Sequence, residues 1–141
     1  MNPLAPPAYG GVNDGSPPGF IDVEFSYVYD VVLAASELLT GQAVSLHRDA
    51  DFAWRGYINV VATGTYRIQF KDSQGYNLSN DMLESANIAG TPSNPFPVFP
   101  EVLYPAGGAI GIDIEDTSVA QNTIQIVFRG VKRYRLAPVR G

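Results

Sequence analysis

Thr65-Tyr66-Arg67-Ile68-Gln69-Phe70-Lys71-Asp72-Ser73-Gln74-Gly75 is the stretch that decides the fold class. Tyr66, Ile68 and Phe70 alternate with Thr65, Arg67, Gln69 and Lys71, the period of a strand with one buried face. Burying each large apolar side chain contributes about 1.5–3 kcal/mol, and a slip of one residue would bury Arg67 in their place, so the register is strongly specified. Asp72-Ser73-Gln74-Gly75 then closes a hairpin, with glycine supplying the positive φ that such turns require.

The same period runs outward in both directions. Upstream, Ile21, Val23, Phe25, Tyr27, Tyr29, Val31 and Leu33 alternate with Asp22, Glu24, Ser26, Val28, Asp30 and Val32, which predicts a long first strand, half buried at first and more fully buried near Val31 to Ala34. Ala35-Ser36-Glu37-Leu38-Leu39 reads as a helical turn ending at Thr40-Gly41, and Gln42 to His47 as a second strand. In Asp51 to Val61, Phe52, Trp54, Ile58 and Val60 share a face, and Gly56 is expected to bend or bulge the strand. Thr63-Gly64 makes a tight connection into the 65–71 strand. Downstream, Tyr76 to Gly90 reads as a short strand plus loop. Thr91 to Pro105 contains Pro92, Pro95, Pro97, Pro100 and Pro105, each lacking a ladder donor, so it is at best an edge strand inside a long loop. The apolar residues Phe96, Val98 and Phe99 within it argue for docking, on its own domain or on a neighbour. Ala109 to Glu115, and Asn122 to Phe128 running on towards Tyr134, are two further alternating strands.

About eight strands with Gly and Pro turns and almost no helix predict an all-β fold, a single β-sandwich of jelly-roll type. The domain spans 21–136. Residues 1–20 precede it as an extended arm rich in Pro and Gly, in which Leu4, Pro6, Pro7 and Tyr9 offer more apolar grip than a spacer needs. Residues 137–141 form a tail. A length of 141 residues allows one domain with an ordinary core and disfavours a two-domain enzyme.

Composition narrows the chemistry. The chain has no cysteine, which removes disulfides, thiolate nucleophiles and Cys zinc sites, and a single histidine, His47, which cannot write an HExxH motif. No apolar run approaches the roughly 20 residues of a membrane helix, and the N-terminus lacks the basic start and apolar middle of a secretory signal. A soluble chain made in the cytoplasm is expected, with no membrane partner. Only 16% of residues are charged, against roughly 25% in an average soluble domain. Those charges are unevenly placed: residues 1–128 hold all 14 Asp and Glu but only Arg48, Arg55, Arg67 and Lys71, whereas Arg129, Lys132, Arg133, Arg135 and Arg140 follow with no acid among them. An acidic body would repel phosphate, so nucleic acid is not an expected partner; Arg129, Lys132 and Arg133 are candidates for meeting an acidic surface.

Catalytic and cofactor sites are not found in this reading. Asp49 with Asp51, and Asp113 with Glu115, each project on one face of a strand, but neither pair belongs to a calcium-loop pattern. His47 lies beside Arg48 and Asp49 without a GxSxG nucleophile elsewhere, and the glycine pairs lack the lysine of a phosphate loop. Trp54, Tyr57, Tyr66, Tyr76 and Tyr104 are candidates for a sugar-stacking platform. The expectation is a non-enzyme with no catalytic, cofactor-binding or metal residues and no cofactor.

Asp49-Ala50-Asp51-Phe52-Ala53-Trp54-Arg55-Gly56, Gly64 to Asp72, Tyr104-Pro105-Ala106-Gly107-Gly108 and Phe128-Arg129-Gly130-Val131-Lys132-Arg133-Tyr134 resemble segments of small structural proteins of tailed bacteriophages, over about residues 30–135. The resemblance implies a virion component present in many symmetric copies, a homo-oligomer whose partners are the major capsid protein or other virion proteins. Capsid decoration, or cementing, is the first position it suggests; a collar, head–tail connector, tail or baseplate part is the alternative. A carbohydrate-binding jelly roll on a tail or fibre is the reading from another class. In the decoration reading Leu4, Pro6, Pro7, Tyr9, Phe96, Val98 and Phe99 contact neighbouring chains.

Overall fold

The computed structural model describes residues 18–88, 96–97 and 99–136. The candidate contacts Leu4, Pro6, Pro7, Tyr9 and Val98, with the arm up to residue 17 and the tail from 137, lie outside the described residues.

The period-two segments form strands: β1 (Phe20–Leu33), β2 (Leu38–Ser45), β3 (Asp51–Ala62), β4 (Tyr66–Lys71), β5 (Leu83–Glu84), β6 (Phe96–Pro97), β7 (Val102–Tyr104), β8 (Ala109–Asp116) and β9 (Asn122–Arg135). Among the described residues a 3-10 turn, Ser85–Asn87, follows β5. Every pairing is antiparallel. β1 pairs β9, β2 pairs β8, the short β6 and β7 both pair β3, and β4 pairs β5. These nested pairs are those of one long hairpin folded over on itself. Pairing of β9 with β3 and of β8 with β4 rolls it into two sheets, ordered β1-β9-β3-β6 (with β7 also on β3) and β2-β8-β4-β5. This is a jelly-roll β-sandwich.

The inner faces interdigitate as the alternation requires. In β4 Tyr66, Ile68 and Phe70 are buried and Arg67, Gln69 and Lys71 are half-buried. Ile110, Ile112 and Ile114 of β8 and Ile124, Ile126 and Phe128 of β9 complete the core. At its centre Trp54 meets the rings of Phe128, Phe70 and Phe99 edge-on at 5.2, 5.4 and 5.8 Å, the geometry aromatic quadrupoles favour.

Two local expectations are corrected. Ala35 to Leu39 is not a helical turn: Ser36 takes φ +59°, Glu37 closes back on Ala34, and Leu38 and Leu39 already pair with Glu115 and Ile114. Pairing with β8 overrides the local preference, so β2 begins at Leu38 and ends at Ser45, short of His47. The tight connection at Thr63-Gly64 is present and joins strands of opposite sheets, turning the corner of the sandwich. The bulge at Gly56 is present, with the β3–β9 register shifting between Trp54 and Tyr57.

Candidate interaction surface

In β9 even-numbered residues face the second sheet and odd-numbered ones the outer face, so the three candidate cations are separated by parity. Lys132 points inward near the end of the sandwich and is buried. Its Nζ is 2.8 Å from His47 Nδ1 and 3.1 Å from Asp49 Oδ2, and 4.1 Å above the Phe25 ring. An ammonium only donates, so His47 Nδ1 is the acceptor of this bond. Tyr134 Oη also donates to Asp49 Oδ2, at 2.7 Å. The hydrogen bonds from Tyr134 and Lys132 hold the Asp49 carboxyl below the usual range, and the same carboxylate pushes the Tyr134 phenol up. His47 Nδ1 is thus engaged by a lysine, its ring meets those of Phe25 and Tyr27 edge-on, and its backbone N–H donates to the Tyr27 hydroxyl at 2.9 Å.

Arg133 points to the outer face. Its Nε and Nη2 reach the two carboxylate oxygens of Asp22 at 2.8 and 2.9 Å, a bidentate pair. Asp22 also accepts from Arg55 Nη2 at 3.2 Å, and Glu101 accepts from Arg55 Nη1 at 2.9 Å. The Asp22 side chain is only 1% exposed, so this network is an internal fastening of β1, β3, β9 and the loop leading into β7. Much of the positive charge of the C-terminal strand is therefore spent inside its own domain. Arg129 differs: it has no ion-pair partner among the described residues and lines an open depression of about 380 Å3 with Glu24, Phe25, Ser26 and Gly130.

Phe99 packs on its own domain. Its ring lies 5.8 Å from Trp54 and 6.2 Å from Phe70, and its backbone lies directly over Gly56, where a Cβ would stand 1.6 Å from the Phe99 carbonyl oxygen. Beside it, Phe96–Pro97 pairs with Tyr57 and Ile58. Only the backbone of Phe96 is among the described residues.

The acidic pairs are also engaged. Asp113 is held below the usual carboxylate range, burial being outweighed by the Gly41 N–H and the Lys71 ammonium. Glu115 pairs with Arg67, and Asp51 accepts the Ala106 N–H. At the far end of the sandwich Asp116 accepts from Ser36 N–H, Ser118 N–H, Ser118 Oγ and Asn122 Nδ2, at 2.8, 3.1, 2.6 and 3.1 Å. Burial raises its pKa and these bonds outweigh that, holding the carboxyl well below its ordinary value. Asn122 in turn accepts from Gly64 N–H and donates to the Thr65 carbonyl. Among the described residues no group of three His, Cys, Asp or Glu is arranged to hold a metal ion. Of the aromatic platform, Trp54, Tyr66 and Tyr104 are core residues and Tyr76 alone among the described side chains is exposed, at 71%.

Open to solvent on the five-stranded sheet, beside Glu24, Ser26, Asp30, Thr123 and Gln125, are several aliphatic residues: Ile21, Val23, Val28 (47%) and Val32 (54%) on β1, Val61 (65%) on β3 and Leu103 on β7. Val28 and Val32 fall on the polar phase of β1 and Val61 on that of β3, and an aliphatic residue in that phase is the available signal; the exposure of Val32 and Ala34 corrects the fuller burial expected near Val31 to Ala34. No protein-family model and no curated protein matches the chain.

Proposed function

We propose that the chain is a non-enzymatic structural component of a tailed-phage particle, a capsid decoration or minor head protein that bridges neighbouring subunits. The observation that carries this reading is how the polar and apolar groups are divided. The acids and cations that could do chemistry are largely consumed in pairs that fasten the sandwich to itself, while valines are left facing solvent on an otherwise hydrogen-bonding β-surface. A rigid sandwich with outward valines suits a part that fits against neighbours. Resemblance to phage structural proteins over about residues 30–135 supports the same class, and the Pro-rich arm fits a segment laid along a neighbour at low entropic cost.

Mass spectrometry of density-purified particles tests the proposal. The chain is expected in many copies per particle, and its absence from them refutes the reading. Deleting residues 1–19 then tests the arm: reduced occupancy is expected, and normal incorporation with normal capsid stability removes the arm from the mechanism. A glycan-binding role on a fibre is favoured by one observation, the exposed ring of Tyr76, and is weakened by burial of Trp54, Tyr66 and Tyr104. Binding on a glycan array that is lost in Tyr76→Ala would replace the first reading with this one.

A further inference from the structure

Exposed sheet edges are templates for pairing, and folded proteins blunt them with short strands, prolines, bulges or inward charges. Three of the four edges here are blunted. β5 has two residues; β6 and β7 have two and three and are flanked by Pro95, Pro97, Pro100 and Pro105. β2 loses register between Leu39 and Gln42. β1 is different. It runs 14 residues, pairs β9 without a break from Phe20↔Arg135 to Leu33↔Asn122, and contains no proline, lysine or arginine. Its other side pairs with no strand among the described residues.

We propose that β1 is a homodimerisation edge, on which β1 of a second copy of this chain pairs antiparallel across a twofold axis centred on Val28. The acids disfavour the axes at Tyr27 and Ser26, and the axis at Val28 opposes more of β1 (23–33) than one at Tyr29 (25–33). Opposed residues of an antiparallel pair lie on the same face. With the axis at Val28, Val28 meets the partner's Val28, Tyr27 the partner's Tyr29, Phe25 the partner's Val31, Ser26 the partner's Asp30 and Glu24 the partner's Val32. No carboxylate faces another. Moving the axis to Tyr27 opposes Glu24 and Asp30, and moving it to Ser26 opposes Asp22 and Asp30, both like-charge contacts. An axis at Phe25 sets Val28 against Asp22, whose carboxylate is already closed by Arg133 and Arg55. The Val28 register continues the five-stranded sheet into that of the partner, places exposed valines side by side and gives the unpaired backbone groups of β1 their ladder. It is isologous and therefore closes at two copies. This inference stands apart from the proposed role in a particle, since a dimer of this kind forms from the purified chain alone.

The test uses the purified full chain. Light scattering coupled to size exclusion at micromolar concentration is expected to give twice the 15.2 kDa chain mass. Val28→Lys, a change at a half-exposed position, is expected to give the monomer mass with an unchanged circular dichroism spectrum, while Val61→Lys on β3 stays dimeric. Because the chain has no cysteine, Val28→Cys introduces a single thiol, and directly opposed residues stand about 4.5–5.5 Å apart at Cα, within disulfide reach. Mild oxidation is expected to cross-link Val28→Cys to a covalent dimer and to leave Val61→Cys uncross-linked. A monomeric wild-type chain, a Val28→Lys variant that remains dimeric, or equal cross-linking at the two positions overturns the proposal.

Discussion

Replacing Gly56 by alanine tests whether the segment through Phe99 is fastened to its own domain. Gly56 has φ +83°, and a Cβ there stands 1.6 Å from the Phe99 carbonyl oxygen and 2.7 Å from its carbon, where real Cβ contacts do not fall below 3.0 Å. The bulge or the Phe99 backbone must therefore retreat by more than an ångström. A positive φ costs an alanine about 1–2 kcal/mol. The retreat also draws the partly buried Phe99 ring away from Trp54 and Phe70, forfeiting much of the roughly 1.5–3 kcal/mol that burying a Phe contributes. The two terms give a loss of about 3–4 kcal/mol. Gly75→Ala is the comparison, because Gly75 has φ +86° with nothing within 4 Å of a built Cβ and carries the backbone cost alone. Urea unfolding followed by the fluorescence of Trp54, the one tryptophan and fully buried, reports both. Gly56→Ala is expected to lose about 2 kcal/mol more than Gly75→Ala at an unchanged m-value. Equal losses in the two variants would refute the close approach and the docking of Phe99 with it.

Three further outcomes follow from the charges and the core. Asp22→Asn leaves the Arg133 guanidinium, 12% exposed, without its bidentate partner, and is expected to cost about 3 kcal/mol in urea unfolding; a loss no larger than that of Arg129→Gln, expected within about 0.5 kcal/mol of wild type, contradicts the network. Tyr66 is buried with its hydroxyl unpartnered among the described residues, and burial pushes that phenol far up. Tyr66→Phe is therefore expected to leave stability unchanged or raise it by about 1 kcal/mol, and a clear loss would show that the hydroxyl has a partner. Asp49, Asp113 and Asp116 all have carboxyls held below their ordinary range in the fold. A depressed carboxyl stabilises fully above its unfolded pKa of about 4 and loses that contribution as pH falls towards the folded value. The melting temperature is accordingly expected to fall with acidification below about pH 5, and to fall less steeply in Asp116→Asn; parallel profiles for the two proteins would contradict the assignment.

The strands and the core were legible because their signal is local. Tyr66, Ile68 and Phe70 are buried as their period requires, and Gly56 bulges β3 because no other residue in that run reaches its φ. Leu38 and Leu39 misled for the opposite reason: Ser36-Glu37-Leu38-Leu39 reads as helix by itself, and what makes it strand is a ladder to Ile114 and Glu115, distant in the chain. The basic end was read as an outward patch for the same cause. Arg133 bonds Asp22 across 111 residues and Lys132 bonds Asp49 across 83, separations that no spacing rule reveals. The unguarded state of β1 depends on which strand lies at the sheet edge, a property of the topology; the lack of Pro, Lys and Arg from 20 to 33 is its only trace in the sequence.

The proposal that this jelly roll is a building part of a phage particle is decided by electron cryomicroscopy of particles that carry its gene and particles that lack it. A two-sheet density of this size is expected, repeated by the particle symmetry on the head and missing from the deletion. Identical maps from the two particles would contradict it.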